Sequence, residues 1–417
     1  MKPQIKLMQI QPILAALRRH KAGTILITLQ IALTLAIVCN AIFIIEQRIT
    51  RISRPSGMNE SDLLAVENSW VGASNATTLT ALNRADLTAL RQLPGVRDAT
   101  LTNSFPLRVG GRVTSVRVDP TTKKEITQAA QYFTDDHALV TMGAKLITGR
   151  NFRTDEVTVA NSNSYKPPPV IIITKALAER LYPDGSALGK PIYLVKDSAP
   201  STVIGIVERL QVPWPGAWTD AFAGNVVLTP IQLTDERNVY LVRAQPGQLT
   251  AISKSVPLLL LKTNRMRVIP DQRGIRTFAE VRDQAYKADI GIAAFMGAIS
   301  VIMLMVTAAG IVGLTSFWVG QRRKQIGVRR ALGATKHDIL SYFLTENLLI
   351  SVGGVIIGAL LAIGLNQWMM SEFEMERLSL LYVLAGMCVL MLLGQGAVLA
   401  PALRASRVSP VEATRVS

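Results

Sequence analysis

Four long apolar segments constrain the fold of this 417-residue chain more than any other feature. A helix needs roughly 20 apolar residues to cross a bilayer, and each of these segments is long enough. The second and fourth contain no charged residue, and the third contains one acid, Glu346, near its start. The sequence therefore predicts four transmembrane helices, which cover residues 23–45, 290–318, 342–365 and 378–402.

Between the first two segments lies a polar stretch, residues 46–289, whose pattern predicts a folded α/β domain rather than a linker. The clearest block begins with Val170–Ile173, a β-branched run that is typical of a buried strand. Thr174 is predicted to cap a helix that ends at Leu181, and strands are expected at 192–195 and 202–207. The predicted fold class is thus an α-helical membrane protein with four transmembrane helices and a large α/β extracytoplasmic domain inserted between helices 1 and 2.

Other parts of this domain support simpler predictions. A helix is expected over Arg84–Gln92, followed by strands, and Gly110-Gly111 is expected to mark a hairpin turn. Asp135-Asp136-His137 is the nearest approach to a catalytic or metal-binding cluster, but a solvated loop is the preferred interpretation. Cys39 and Cys388 both lie in apolar segments, so no disulfide is expected in the domain.

The charges that flank the apolar segments predict their orientation. Residues 1–22 contain five basic residues and no acid, and residues 319–341 contain six basic residues and one acid. Residues 403–417 are also basic, whereas the short connection 366–377 is acidic. Because short cytoplasmic flanks are enriched in Lys and Arg, both termini are predicted to be cytoplasmic in a bacterial inner membrane, with residues 46–289 and 366–377 periplasmic. The net charge of +16 is then mainly an orientation signal, and no nucleic-acid partner is expected.

Two predictions concern the ends of the first and second segments. The first segment is too long for a signal peptide and is expected to be a retained anchor, preceded by an amphipathic helix at the inner membrane surface within residues 1–22. Residues 46–54 and 277–289 have helical patterns, and they are expected to extend these two spans beyond the membrane as stalk helices.

A basic stretch with two glycines, QRRKQIGVRRALGAT, follows the second segment directly. It is predicted to form a short cytoplasmic helix, rigidly continuous with the span, in which Gly327 and Gly333 permit close backbone approach. Arg329 and Arg330 are available for acidic groups of a partner protein or for anionic lipid headgroups. A basic loop without any partner is the alternative. Glu346 is expected in a wet position beside this helix rather than at a transport site.

Four parts of the chain together resemble the FtsX-like and MacB-type ABC transporter permease family. Residues 323–335 (RKQIGVRRALGAT) are similar to the family signature that follows its second span. Residues 146–152 (LITGRNF) and 170–207 resemble its MacB-like periplasmic domain, and residues 401–414 (PALRASRVSPVEAT) resemble its usual ending. One position departs from the family pattern, since Gln325 stands where the family has glutamate.

This resemblance implies a function. It implies that the helix after the second span docks on a separate cytoplasmic ABC ATPase, which binds ATP and Mg²⁺, while this chain binds no cofactor or metal and is not an enzyme. The GxxxxGK[ST] phosphate loop is indeed missing from these 417 residues. The coupling residues implied by the resemblance are Arg323, Gln325, Ile326, Gly327, Arg329, Arg330, Leu332 and Gly333.

The resemblance further implies a homodimer or heterodimer of permeases that exports a periplasmic substrate by mechanotransmission, with a periplasmic adaptor and an outer-membrane channel. Within the family, a lipoprotein-releasing permease is the alternative. Outside transport, the alternatives are an FtsX-like regulator of cell-wall hydrolases and, more weakly, a membrane-anchored receptor or enzyme.

Overall fold

The structure is a computed structural model that describes residues 21–72, 75–119, 126–161, 166–195, 198–373 and 377–408. It divides into two compact units. The helical unit comprises the residues up to Ile52 and those from Asp289 onwards, and the α/β unit comprises Ser53–Ala288. The amphipathic helix predicted within residues 1–22 lies almost wholly outside the described residues.

The helices and strands are numbered here in chain order. The helices are α1 (Lys21–Ile52), α2 (Ala76–Gln92), α3 (Ala138–Met142), α4 (Lys175–Leu181), α5 (Leu249–Thr263), α6 (Phe278–Gln321), α7 (Arg323–Ala331), α8 (Lys336–Phe373) and α9 (Leu380–Ser406). The strands are β1 (Leu63–Trp70), β2 (Val96–Thr102), β3 (Arg112–Val116), β4 (Thr127–Thr134), β5 (Leu146–Gly149), β6 (Thr158–Ala160), β7 (Val170–Thr174), β8 (Pro191–Ile192), β9 (Ser201–Val207), β10 (Val226–Leu233), β11 (Arg237–Ala244), β12 (Arg267–Val268) and β13 (Ile275–Thr277).

Four helices of the helical unit, α1, α6, α8 and α9, are long and apolar enough to cross a membrane. The helix α1 is the most buried of the four, and it packs closely against α8 at two glycines. A side chain at Gly358 would lie 2.8 Å from the carbonyl oxygen of Ala32, so only glycine permits this contact. The contact between α1 and α6 includes a 2.7 Å hydrogen bond between the hydroxyls of Thr34 and Thr307. Polar pairs of this kind join helices where no water is available as an alternative partner.

Helix α1 runs to Ile52 and α6 begins at Phe278, so both predicted stalk segments are largely helical. Near the stalk end of the helical unit, Arg48 Nη1 lies 2.5 Å from Asp289 Oδ1 and joins α1 to α6. The Asp289 side chain is nearly buried in this contact.

The α/β unit contains two sheets, of which the first is antiparallel and the second is mixed. The first has the strand order β12-β1-β11-β2, with β13 also paired to β1. Helices α2 and α5 pack on this sheet, and their Leu87, Leu90, Ile252 and Val256 are buried against it. The second sheet has the order β3-β4-β10-β7-β9-β5, with β6 on β10 and β8 on β9. The sequence prediction of a large α/β domain is confirmed.

The Val170–Leu181 block folds as a strand followed by a helix, as predicted. The predicted role of Thr174 is wrong, because its side chain makes no capping hydrogen bond. Its hydroxyl donates instead to the carbonyl oxygen of Gly224 at 2.6 Å and accepts from the backbone N–H of Val226. Thr174 is therefore the N-cap residue by position, but its side chain fastens β7 to β10 instead of capping the helix.

Two further local predictions are wrong. Helix α2 begins at Ala76, not at Arg84, because Asn75 Oδ1 accepts the N–H of Thr77 and caps it. Gly110-Gly111 does not form a hairpin turn, since β2 pairs with β11 in the first sheet while β3 pairs with β4 in the second. A side chain at Gly111 would lie 2.9 Å from the hydroxyl of Ser104, so this glycine permits a close approach as the chain passes between sheets.

Asp135 and its neighbours form an ordered polar cluster rather than the solvated loop predicted. Asp135 accepts hydrogen bonds from the hydroxyl of Thr100 at 2.5 Å and from Arg91 Nη2 at 2.9 Å. His137 Nδ1 lies 2.9 Å from Asp98 Oδ1. Burial raises the pKa of Asp135, against the opposing effect of Thr100 and Arg91. Asp98, Thr100 and Asp135 are buried, whereas the side chains of Arg91 and His137 are partly exposed. The cluster holds the start of α3 against β2.

The LITGRNF segment contains the edge strand β5 of the second sheet and the turn that follows it. Gly149 has a φ of +84°, and a side chain there would overlap the carbonyl oxygen of Ile204. Arg150 then forms a two-pronged ion pair with Glu156, with nitrogen–oxygen distances of 2.8 and 2.6 Å. The Glu156 carboxylate also accepts the backbone N–H of Arg153. These hydrogen bonds lower the pKa of Glu156 from 4.5 to about 2.

The Glu156 pair predicts a pH-dependent contribution to stability. Since the folded pKa lies below the unfolded value, the contribution is complete above about pH 4.5 and is lost as the pH falls towards 2. Replacing Glu156 by Gln is expected to cost about 1 kcal/mol at pH 7, because the pair is near the surface and is screened by solvent. Thermal unfolding of the unchanged chain and of E156Q in detergent, at pH 7, 5 and 3, measures the difference in their stability. This difference should shrink only at pH 3. Glu179→Gln, in a looser surface pair with Lys175, is the control; an E156Q difference that did not change with pH would contradict the assignment.

Candidate coupling site

The basic stretch after α6 forms the short helix α7, as predicted. The chain leaves the helical conformation at one residue, Arg322, so α7 is a separate helix and not a rigid continuation of α6. Gly333 ends α7 with a φ of +100°, a conformation that other residues rarely adopt. The backbone N–H of Thr335 donates to Asp338 Oδ2, and the backbone N–H of Asp338 donates to the hydroxyl of Thr335. These two hydrogen bonds cap the start of α8 at Lys336.

Helix α7 has one buried face and one exposed face. Ile326 is buried with Ile339 and Phe343 of α8 and Ala405 of α9 in the core of the helical unit. Gly327 is buried beside it. Leu332, directly after the helix, is 83% exposed although it is apolar. The exposed residues of the helix are Arg323, Lys324, Gln325, Val328 and Arg329.

An ion pair fixes the residue before α7 to helix α8. Arg322 Nη1 lies 3.1 and 3.0 Å from the two carboxylate oxygens of Glu346 on α8. The side chains are 11% and 3% exposed. The sequence prediction that Glu346 is in a wet position is therefore wrong, although its place beside α7 is as predicted. A charge pair this well buried is costly to break, because either partner alone would be left without compensation.

A second contact joins the far part of α7 to the same helix. The guanidinium of Arg329 lies 5.1 Å from the centre of the Tyr342 ring, within the range of a cation–π contact. Tyr342 is one turn before Glu346 on α8. The ion pair, this contact and the buried Ile326 thus hold α7 against one side of α8 along its whole length.

The residues predicted for coupling divide into two groups. Arg323, Gln325, Arg329 and Leu332 lie exposed around α7, where a partner could reach them. Ile326 and Gly327 face the core, and Arg330 is half-buried with Nη1 3.4 Å from the carbonyl oxygen of Ala334. A side chain at Gly333 would meet no described atom within 4 Å, so backbone conformation, not close packing, explains the glycine there.

Sequence reasoning missed Arg322 and Tyr342 as parts of this site. Arg322 was one basic residue among six in its segment, and nothing local distinguished it. The one available signal was Glu346, a single acid in an apolar segment, which requires a partner. Among the described residues, no group of His, Cys, Asp and Glu side chains is arranged to hold a metal ion.

The exposed face and the fixed attachment of α7 together characterise this site. Its exposed surface is basic, with one apolar side chain, Leu332, at the end. Because α7 is fixed to α8 at two points, a partner that moved α7 would also move α8.

Comparison with known proteins identifies the family. Residues 24–256 match the model of the MacB-like periplasmic core domain, and residues 297–410 match the FtsX-like permease C-terminal model. The first match alone covers more than half of the chain. The chain belongs to the MacB-like, FtsX-like permease family. With its four apolar helices, it is a multi-pass membrane protein.

Relatives within this family have names that concern transport. The macrolide export ATP-binding/permease protein MacB 1/2 of Paracoccus denitrificans is 28% identical over 414 residues, which is 96% of this chain and 57% of that protein. The uncharacterized ABC transporter permease YknZ of Bacillus subtilis is 22% identical over 87% of this chain and 86% of its own length. The chain spans about half the length of the MacB relatives that it matches.

Comparison with solved structures gives matches of low TM-score. The periplasmic region of MacB from Actinobacillus actinomycetemcomitans superimposes on 56% of this chain with 15% identity and a TM-score of 0.34. The matched region includes 97% of the length of that structure.

Proposed function

We propose that this chain is the permease subunit of a MacB-type ABC transporter and that α7 receives force from a separate cytoplasmic ATPase. The observation that carries the proposal is the form of α7, a basic, exposed helix fixed to the core of the helical unit by the Arg322–Glu346 pair. Family membership supports it, since the MacB relatives are named ATP-binding/permease proteins. The ATPase binds ATP and Mg²⁺, and this chain supplies the mechanical element.

Two helices connect the site to the rest of the protein. Movement of α7 reaches α8 through Glu346, and it reaches α6 through Arg322, the residue next to the end of α6. Helix α6 has 44 residues, about 66 Å at 1.5 Å per residue, and its first turns belong to the α/β unit. Phe278 and Tyr286 are buried there, so one continuous helix has residues in both units and is suited to carry movement along its length.

The proposed cycle is export of a periplasmic substrate by a dimer of permeases, with the domain inserted between the first two spans on the periplasmic side and both termini in the cytoplasm. Expulsion by the domain requires no path between the spans. A periplasmic adaptor and an outer-membrane channel complete the route. The names of the MacB relatives favour export over the lipoprotein-releasing and regulatory alternatives.

Purification of the tagged chain from its native membrane tests the proposal, and an ABC ATPase is expected to co-purify. A preparation that contains no ATPase under conditions that keep the helical unit folded would overturn it.

Leu332 offers a sharper test of the docking surface. Replacing it by Asp places a charge in the expected contact, and we expect stimulation of the co-purified ATPase to fall about tenfold, the effect of about 1.4 kcal/mol. Because Leu332 is 83% exposed, thermal stability should change by about 0.5 kcal/mol or less. Leu332→Met, which keeps an apolar side chain, is the matched control. Undiminished ATPase stimulation by L332D would show that the ATPase does not contact the end of α7.

A further inference from the structure

A cavity of about 580 Å³ lies in the α/β unit, at one edge of the second sheet. Strands β7 and β9 are parallel neighbours there, and their last paired residues are Thr174 and Val207. Residues that follow the two strands line the cavity, namely Lys175 and Glu179 after β7, and Glu208, Arg209 and Gln211 after β9. Crevices at the carboxyl ends of parallel strands are common ligand sites, and the volume is within the range of sites for small molecules.

The lining contains equal numbers of basic and acidic side chains. They are Arg54, Lys175 and Arg209, and Glu179, Glu208 and Asp220. A ligand with a charge of only one sign meets as many like charges as opposite charges in such a lining. A ligand that carries one charge of each sign finds a partner for both. The lining therefore favours a zwitterion.

One of the lining charges, Arg209, has no counter-charge. The other five are held in ion pairs with N–O distances of 3.1 to 3.7 Å, which are Arg54–Asp220, Lys175–Glu179 and Lys145–Glu208. The side chain of Arg209 forms no ion pair or hydrogen bond with any residue in the parts of the chain that the structure describes. Arg209 is exposed at the cavity, and its guanidinium can bind a carboxylate through two parallel hydrogen bonds.

The lining also includes a buried amide that lacks one partner. Gln211 is 2% exposed, and its Nε2 donates to the hydroxyl of Tyr286 at 3.0 Å. Among the described residues, none donates a hydrogen bond to Gln211 Oε1. A buried acceptor without a donor is costly, so a ligand that supplied an N–H here would remove that cost. The amide N–H of a peptide is such a donor.

We propose that this cavity binds a small zwitterion with the chemistry of a dipeptide. The carboxylate pairs with Arg209, the amide N–H donates to Gln211 Oε1, and the ammonium group lies among the acidic side chains. The inference goes beyond coupling to an ATPase, because it requires only the fold of the α/β unit. Arg54 is the second residue after the end of α1, so a bound ligand would join the segment that follows α1 to the ends of β7 and β9.

Thermal unfolding of the full chain in detergent, at constant ionic strength, tests the proposal with three peptides. Alanyl-alanine carries both charges, its N-acetyl form keeps only the carboxylate, and its C-terminal amide keeps only the ammonium group. A ligand that binds the folded state raises the Tm as its concentration rises. We expect alanyl-alanine to raise the Tm, and each modified peptide to require an about tenfold higher concentration for the same rise, because one charge-assisted contact is lost.

Arg209→Gln tests which residue receives the carboxylate. It should weaken the binding of alanyl-alanine about tenfold and leave the binding of the C-terminal amide unchanged, because that peptide has no carboxylate. Arg209 is exposed, so the substitution should not impair folding. Lys254→Gln, which removes an exposed positive charge from α5 outside the cavity, is the matched control and should change neither.

The proposal would be overturned if none of the three peptides raised the Tm. Equal rises with all three would also overturn it, because binding would then not depend on the charges. A rise with the N-acetyl form as large as that with alanyl-alanine would indicate an anion site and contradict the zwitterionic assignment. Equal binding of alanyl-alanine to R209Q and to the unchanged chain would show that Arg209 does not hold the carboxylate.

Discussion

Replacing Glu346 by Gln is expected to lower stimulation of the partner ATPase by about tenfold or more, because movement of α7 would no longer reach α8. The substitution keeps the size of the side chain but leaves Arg322, 11% exposed, without its counter-charge. Removing one partner of a buried ion pair costs about 3–5 kcal/mol. Since about 1.4 kcal/mol changes an equilibrium constant tenfold, this cost is large enough for the expected effect. Helix α7 would then lose its firm attachment to α8, while its exposed face would still bind the partner.

The measurement is ATPase stimulation in complexes reconstituted with equal amounts of the co-purified ATPase. A double variant, Arg322→Glu with Glu346→Arg, restores a pair of opposite charges and should recover part of the coupling. Glu372→Gln, at an exposed position near the far end of α8, is the control for loss of one negative charge from the same helix. If E346Q retained full stimulation, the ion pair would have no part in transmission. If E346Q lost the ATPase altogether, the pair would be needed for docking rather than for transmission.

Replacing Asp86 by Ala is expected to be the most destabilising single change in the α/β unit. Its carboxylate receives both terminal nitrogens of Arg267 at 2.7 and 2.8 Å, and both side chains are fully buried. Asp86 also accepts the hydroxyl of Tyr240 at 2.7 Å, and the Arg267 guanidinium lies 4.2 Å from the Trp70 ring. Removing Asp86 leaves the buried Arg267 cation without its counter-charge, at a cost of about 3–5 kcal/mol. The Tyr240 hydroxyl loses one of its two partners and keeps Asn83 Oδ1 at 3.1 Å.

For a unit of this size, that cost corresponds to a fall in Tm of about 6–20 °C. Thermal unfolding of the full chain in detergent measures it, with a probe that follows the strands. Removing both partners, in Asp86→Ala with Arg267→Ala, should cost less than the sum of the two single changes, because no charge is then left alone. Additive losses would show that the two side chains stabilise the core independently. Glu179→Gln on the surface should change Tm little.

Hydropathy predicted the apolar helices because membrane crossing requires a continuous run of apolar residues, which is a local property. The Val170–Leu181 strand and helix were also predictable, since the β-branched run and the helical spacing lie within a dozen residues. The start of α2 was missed although its cap, Asn75, is local. The other failures involve partners far along the chain. Gly110-Gly111 resembled a hairpin because its sequence could not show that β2 and β3 belong to different sheets. Thr174 resembled a cap because Gly224, its real partner, is 50 residues away.

The candidate site divides in the same way. Its position after the second apolar segment, its basic character and its glycine-terminated helix are written in fifteen consecutive residues, and the sequence alone determined them. Only the tertiary structure decided that Arg322 pairs with Glu346, that Arg329 lies over Tyr342, and that Leu332 remains exposed. The physical reason is that burial and charge pairing depend on which helices pack together, and a linear pattern shows the need for a partner without showing where the partner lies.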